Sequence, residues 1–306
     1  MRVINLYYFY GKTRYFTSSV TDLLHFRLRL NLWIQYRLMH KSVSHRREAG
    51  VGVRVEGVTR RFDNGVVALD CLDLDVGAGE FLAILGPSGC GKSTLLRLVA
   101  RLDEPQKGVI YMAESQHSAA DRHGLGRRAE IAFVFQDAHL LPWRSVLDNA
   151  ALPLELIGMK RSQRREAARM ALEQVGLGDA LNRYPNELSG GMRMRVSLAR
   201  AVVTEPKLLL MDEPFAALDE ITRQHLDEQL RELWTRLGMT VLFVTHSTTE
   251  AVFLAERAIV MTPRPGKIIE DMEIDLPEKR TSGIRATAQF AAETRAIYEA
   301  LERGET

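Results

Sequence analysis

Cysteine is nearly absent from this 306-residue chain: Cys71 and Cys90 are the only two. Two thiols cannot frame a disulfide-stapled fold, and a reducing compartment suits such a chain. No apolar run approaches the ~18 residues that a membrane-spanning helix needs. A role at a membrane is therefore expected to be exerted from its surface, through a partner. An excess of one charge is lacking too. Lys and Arg total 41 against 39 Asp and Glu, and the formal net charge of +2 gives no reason to invoke nucleic acid. There is no internal repeat and no low-complexity linker. The remaining composition, 46 % hydrophobic and 26 % charged, is that of an ordinary globular protein. The length allows one large or two small domains around a sizeable core.

Acidic residues are scarce locally as well: residues 1–50 hold only Asp22 and Glu48 among many aromatic and basic side chains. No apolar stretch followed by a small-residue cleavage site marks a secretory signal there. Two readings of this basic, aromatic extension stay open. Leu23 to Met39 fits a basic amphipathic helix lying on a membrane surface. The same segment fits a poorly ordered extension, or a gene start set upstream of the true one, with Met39 as a candidate.

The most informative motif is Gly86-Pro87-Ser88-Gly89-Cys90-Gly91-Lys92-Ser93-Thr94. It matches a glycine, four free positions, then Gly-Lys-Ser, the pattern of a phosphate-binding loop. Glycines let the backbone turn tightly and aim its N–H groups at an anion. The positive end of the following helix adds to that field. Lys92 is placed to reach the β- and γ-phosphates, and the Ser93 hydroxyl to ligate Mg²⁺. The context agrees, because Phe81 to Leu85 reads as a buried strand and Leu95 to Ala100 as the start of a helix. Cys90, just before that helix, is expected to be the reactive thiol, and Cys71, in a strand, the slower one.

From Val51 onward the pattern changes. Val53 to Val58 alternates like a half-exposed strand, Asn64-Gly65 marks a hairpin turn, and Ala68 to Val76 alternates again. Ile131 to Phe135, Leu208 to Met211 and Val241 to Val244 are short and apolar, as buried parallel strands are. The expected fold class is α/β: a phosphate-loop NTPase core with an antiparallel β subdomain and an inserted helical subdomain. The expected domains are an extension over 1–50, a core over 51–270 with the helical subdomain at about 137–190, and a C-terminal helical tail over 271–306. Ser145 to Leu188 reads as almost wholly helical, with Ala167, Met170, Ala171 and Leu172 on one packed face.

Leu208 to Pro214 is an apolar strand ending in two carboxylates. Asp212 at its tip can hold Mg²⁺, often through water, and Glu213 is placed to polarise a water for in-line attack on a γ-phosphate. Two adjacent acids at the end of a buried strand rarely lack a partner. Leu188-Ser189-Gly190-Gly191-Met192 precedes a helix and forms a second anion-gripping helix end. Two such ends far apart in one chain suggest a nucleotide sandwiched between two chains.

In the order and combination of these motifs the chain resembles the nucleotide-binding subunits of ABC transporters, over roughly Val51 to Gly266. That resemblance implies ATP and Mg²⁺ as cofactors and ATP hydrolysis coupled to transport. It places Gln136 at Mg²⁺ or the attacking water and in contact with the membrane partner, Asp219 at the dimer contact, His246 at the γ-phosphate and Phe62 on the adenine ring. Met192 departs from the Gln that many members carry, leaving Ser189, Gly190 and Gly191 intact. Phe135 to Trp143, Val146 to Asn149 and Arg264-Pro265-Gly266 are similar to importers of nitrate, sulfonates and taurine. The implied partners are a membrane permease, a second copy in head-to-tail arrangement and, indirectly, a solute-binding protein; nucleic acid is not among them. The implied location is peripheral, on the cytoplasmic face of the cell membrane. Trp143, beside Pro142, reads either as a partner anchor or as a core residue of the helical subdomain. The rival reading is an ABC ATPase without a transporter, acting in regulation or on ribosomes or DNA. Ribosome-type members usually carry two cassettes and DNA-type members long coiled coils, and neither feature is present.

Overall fold

The computed structural model describes residues 50–112 and 131–305. The readings of the N-terminal extension therefore lie outside the described residues. A small antiparallel sheet comes first, with β1 (Val53–Arg61), β2 (Val67–Val76) and β4 (Lys107–Met112) in the order β2-β1-β4. The β1–β2 hairpin turns at Asn64-Gly65, where Gly65 takes φ +83 and its N–H donates to the Phe62 carbonyl at 2.9 Å. The second sheet holds β3 (Phe81–Leu85), β5 (Ile131–Val134), β6 (Leu208–Asp212), β7 (Thr240–Val244), β8 (Arg257–Met261) and β9 (Ile268–Glu273). Its order is β5-β6-β7-β3-β8-β9, parallel throughout except for β9, which pairs antiparallel with β8.

Period-two alternation explains why the central strands are apolar on both faces. In β3, Phe81, Ala83 and Leu85 enter one buried cluster, whereas Leu82 and Ile84 enter a second. β6 and β7 divide the same way, Leu209, Met211, Val241 and Phe243 to the first cluster and Leu208, Leu210, Leu242 and Val244 to the second. Each fully buried aliphatic side chain contributes about 1.5–3 kcal/mol of transfer free energy. The sheet is thus a wall with a core on each side.

Helices cover both faces: α1 (Lys92–Val99), α5 (Gly190–Val202), α6 (Glu220–Leu237), α7 (Thr248–Leu254) and α8 (Ala288–Glu305), with α2 (Val146–Ala150), α3 (Leu152–Leu156) and α4 (Arg161–Gln174) between β5 and β6. The stretch from Ser145 to Leu188 is less helical than expected. Gly158 and Gly176 take φ +79 and +69, and after α4 only Pro185–Glu187 forms a short 3₁₀ turn. The packed face of α4 also differs. Ala168, Ala171 and Leu172 are buried at i, i+3, i+4 spacing, while Met170 points away and is half exposed.

The expected division at 270/271 falls inside β9. Beyond it, Phe290, Ile297 and Ala300 of α8 are buried in the first cluster, so this helix seals the main core. Among the described residues, no helix is long and apolar enough to cross a membrane.

Candidate active site

β3 runs into the phosphate loop and α1 runs out of it. Gly86, Gly89 and Gly91 take φ +151, +75 and +117, a region closed to most side chains, so the glycine spacing is a backbone requirement. Gly91 is the N-cap of α1 and offers no side-chain acceptor, which leaves the first-turn N–H groups to an incoming anion. Lys92 is buried, and its Nζ donates to the carbonyls of Gly86 (2.8 Å) and Pro87 (3.0 Å). An ammonium parked on neutral carbonyls keeps its charge available for a phosphate.

Ser93 Oγ donates to Asp212 Oδ1 at 2.9 Å, joining residues 119 apart in sequence. Burial pushes the Asp212 carboxyl above the usual carboxylate range, and the neighbouring Glu213 adds to this. The Ser93 hydrogen bond and the Arg97 and Lys92 charges oppose it. Glu213 takes φ +48, which for a non-glycine residue stores about 1–3 kcal/mol of strain. Its N–H is held by the Val244 carbonyl at 3.0 Å. The parallel register sets Asp212 opposite Val244, so Glu213 and His246 both emerge just past paired strand ends. His246 Nε2 lies 2.5 Å from Glu213 Oε1. The backbone on either side of His246 is tied down: Thr245 Oγ1 accepts from Ser247 N (2.9 Å), and Ser247 Oγ caps α7 by accepting from Glu250 N (3.2 Å).

These groups converge on a cleft of about 260 Å³. It gathers Phe62, the loop and helix-start residues Ser88, Gly89, Gly91, Lys92, Ser93 and Thr94, and the pair Glu213 and His246. Gly86, Pro87 and Cys90 are not part of the lining, Gly86 and Cys90 being buried; Asp212 joins through Ser93. Phe62 is 38 % exposed, with the Arg60 guanidinium 5.5 Å from its ring centre. The thiol expectation is reversed, since Cys90 is 1 % exposed beneath the loop, while Cys71 is exposed at a β-bulge position with φ +51. Strand membership did not hide Cys71 because β2 lies at the edge of its sheet and is irregular there.

Gln136, Ser189, Gly190, Gly191 and Asp219 do not line this cleft. Gln136 is exposed two residues beyond Val134, whose register partner is Met211, so it follows the tip of β5, the strand beside β6. Ser189 is exposed and caps α5, its Oγ accepting from Met192 N at 3.2 Å. Only the main chain of Met192 serves that cap, so the departure from Gln leaves it intact. Gly191 is buried, and a Cβ there would fall 2.8 Å from Thr222 Cγ2, so a glycine is what lets α5 and α6 abut. The Thr222 N–H is in turn accepted by Asp219 Oδ1 at 2.9 Å, the bond that most lowers the Asp219 carboxyl. Ser189 and Asp219 therefore cap two neighbouring helix starts on the surface.

Several supporting residues escape sequence reasoning. Arg200 of α5 donates to the carbonyls of Ala138 (2.7 Å) and His139 (2.9 Å), about 60 residues earlier, and so ties the segment after Gln136 to the Ser189 helix. Asn149, fully buried, accepts from Leu141 N at 2.8 Å and donates to Arg144 O at 2.9 Å. Trp143 between them is 72 % exposed, so it is not a core residue. Ala68 and Arg264 also line the cleft; Arg264 was visible only as part of a subfamily-like triplet.

Known proteins resemble this chain over most of its length. Residues 69–216 match the family model described as "ABC transporter". The chain is 47 % identical over 247 residues to the aliphatic sulfonates import ATP-binding protein SsuB of Cupriavidus necator, covering 81 % of this chain and 77 % of that one. It is 42 % identical over 233 residues to the taurine import ATP-binding protein TauB of Escherichia coli O157:H7, covering 74 % and 89 %. Among solved structures, the dimeric post-hydrolysis ATP-binding cassette MJ0796 bound to ADP and Pi superposes with a TM-score of 0.64 at 34 % identity, covering 74 % of this chain and all of that one.

Proposed function

The chain belongs to the ABC transporter family of ATP-binding subunits, and on that premise we propose that its ATPase energises import of a small sulfonate-, taurine- or nitrate-type solute through a separate membrane permease. The sulfonate and taurine importers among its relatives support the first two of these solutes. The observation that carries the hydrolytic part is the Glu213–His246 contact of 2.5 Å beside the buried Lys92 and the Ser93–Asp212 pair.

In this reading Lys92 leaves its loop carbonyls for the β- and γ-phosphates, and the loop N–H groups and α1 take up the rest of their charge. Phe62 stacks on the adenine. Glu213 polarises the attacking water, held in place by the main-chain bond to Val244, and His246 donates toward the γ-phosphate. The site's hard oxygen donors, the Ser93 hydroxyl and the half-buried Asp212 carboxylate, suit Mg²⁺, with Gln136 as a further oxygen ligand. When bound, Mg²⁺ supplies charge neutralisation between phosphates.

The helix start at Ser189-Gly190-Gly191, with Ser189 and Gly190 exposed, and Asp219 complete the site of a second, head-to-tail copy. The subunit works at the cytoplasmic face of the membrane, and a solute-binding protein outside delivers the cargo. The test is reconstitution with its permease and solute-binding protein in liposomes, measuring ATP-dependent uptake of labelled taurine, an alkanesulfonate and nitrate. Uptake of one of these is expected. Vigorous permease-stimulated ATPase with uptake of none would overturn the solute class, and no stimulation would overturn the importer reading.

A further inference from the structure

The turn Thr262–Lys267 joins β8 to β9 and is held by its own bonds. Thr262 N donates to Lys267 O (2.9 Å), Lys267 N to Thr262 Oγ1 (3.0 Å), and Thr262 Oγ1 to Pro265 O (3.0 Å). It is also docked on β2, through Gly266 N to Ala68 O (2.9 Å) and an ion pair of Lys267 with Asp70 (3.2 Å). From this base Arg264 reaches across to the phosphate loop, 175 residues away in sequence, where its Nε donates to Gly89 O at 2.7 Å. The N–H of the same peptide unit, that of Cys90, donates to Pro87 O at 3.3 Å. The Gly89–Cys90 peptide is thus pinned at both polar ends. A Cβ on residue 89 would fall 2.5 Å from Arg264 Nη2, so the guanidinium lies against bare backbone and the glycine makes room for it. The side chain lines the same cleft as Lys92 and Phe62.

The physical need is plain. A loop tip rich in glycine has many backbone conformations, and a carbonyl turned inward would repel a phosphate. A charge-assisted bond from a docked guanidinium removes that freedom before the nucleotide arrives. We propose that Arg264 is a positioning residue of the nucleotide site, acting through the Gly89–Cys90 peptide from the β8–β9 turn. The inference rests on the nucleotide reading of the cleft.

The test compares wild type, Arg264→Ala and Arg264→Lys in three measurements on the isolated subunit. These are the MgADP dissociation constant by calorimetry, the melting temperature without nucleotide, and the alkylation of Cys90 relative to Cys71 by mass spectrometry. Cys71 is an exposed internal reference. Arg264→Ala should weaken MgADP binding ~10-fold and raise the Cys90-to-Cys71 labelling ratio several-fold. Its melting temperature should change little, as expected for an exposed side chain. Arg264→Lys should recover part of both effects. An unchanged affinity and labelling ratio overturn the inference while leaving the nucleotide reading in place. A melting temperature that falls in step with affinity assigns Arg264 to turn stability and also overturns it. Failure of the wild type to bind MgADP overturns both.

Discussion

The cleft around Lys92 and the surface around Ser189 and Trp143 use similar materials: helix starts, glycines and a few polar side chains. In the cleft those groups find partners within the chain. Lys92 rests on loop carbonyls, Ser93 on Asp212, and His246 on Glu213. On the surface, Ser189, Gly190 and Asp219 satisfy only their own helix ends, and Trp143 is 72 % exposed. Polar caps and a large aromatic left facing outward invite a second surface. In the proposed function the first half of the machinery is finished by folding, and the second would be completed by assembly.

The sharpest way to test this contrast is inside the finished half. Glu213→Gln keeps size but removes the charge that polarises water, so phosphate release should fall ~10²–10⁴-fold. ATP should still bind, and an ATP-bound dimer should accumulate on size exclusion. Near-normal turnover would remove Glu213 from the chemistry. A smaller effect is expected on the unfinished half. Ser189→Arg in the Glu213→Gln background should raise the dimer dissociation constant ~10²-fold, the scale of a blocked interface hot spot, while monomers still bind ATP. Loss of the cap itself costs about 0.5–2 kcal/mol of stability, readable as a modest drop in melting temperature. An unchanged dimer would reduce the Leu188–Met192 segment to a helix cap. The smallest effect concerns Trp143→Ala, which should weaken permease association by ~1–3 kcal/mol. The isolated subunit should keep its ATPase and melting temperature. Intact association would move the coupling surface elsewhere.

Much of the site could be read from the chain because its parts are contiguous. The phosphate loop, the Asp212-Glu213 strand end and the Ser189 cap each occupy a few neighbouring residues whose types carry their own chemistry. Burial was harder to read. Cys90 looked available because it precedes a helix, yet β2 and the 262–267 turn pack over the loop and leave it 1 % exposed. Met170 looked like core by composition, yet the α4 stripe passes through Ala168, Ala171 and Leu172. The bonds that Arg200 and Arg264 make gave no local signal, because an arginine bonded to a carbonyl 61 or 175 residues away has no periodicity.

By itself the sequence determined the α/β class, the position of the phosphate loop and the identity of the acids at the β6 tip, since local backbone preference and apolar period suffice for these. Only the tertiary structure decided that Glu213 meets His246. That contact depends on β6 lying beside β7 with Asp212 opposite Val244, a choice made by which faces bury each other. The same packing places the β8–β9 turn against the loop it braces, because β8 lies next to β3 in the sheet. Strand order is a property of the whole core, summed over two clusters of side chains from distant segments, and no short stretch of chain carries it.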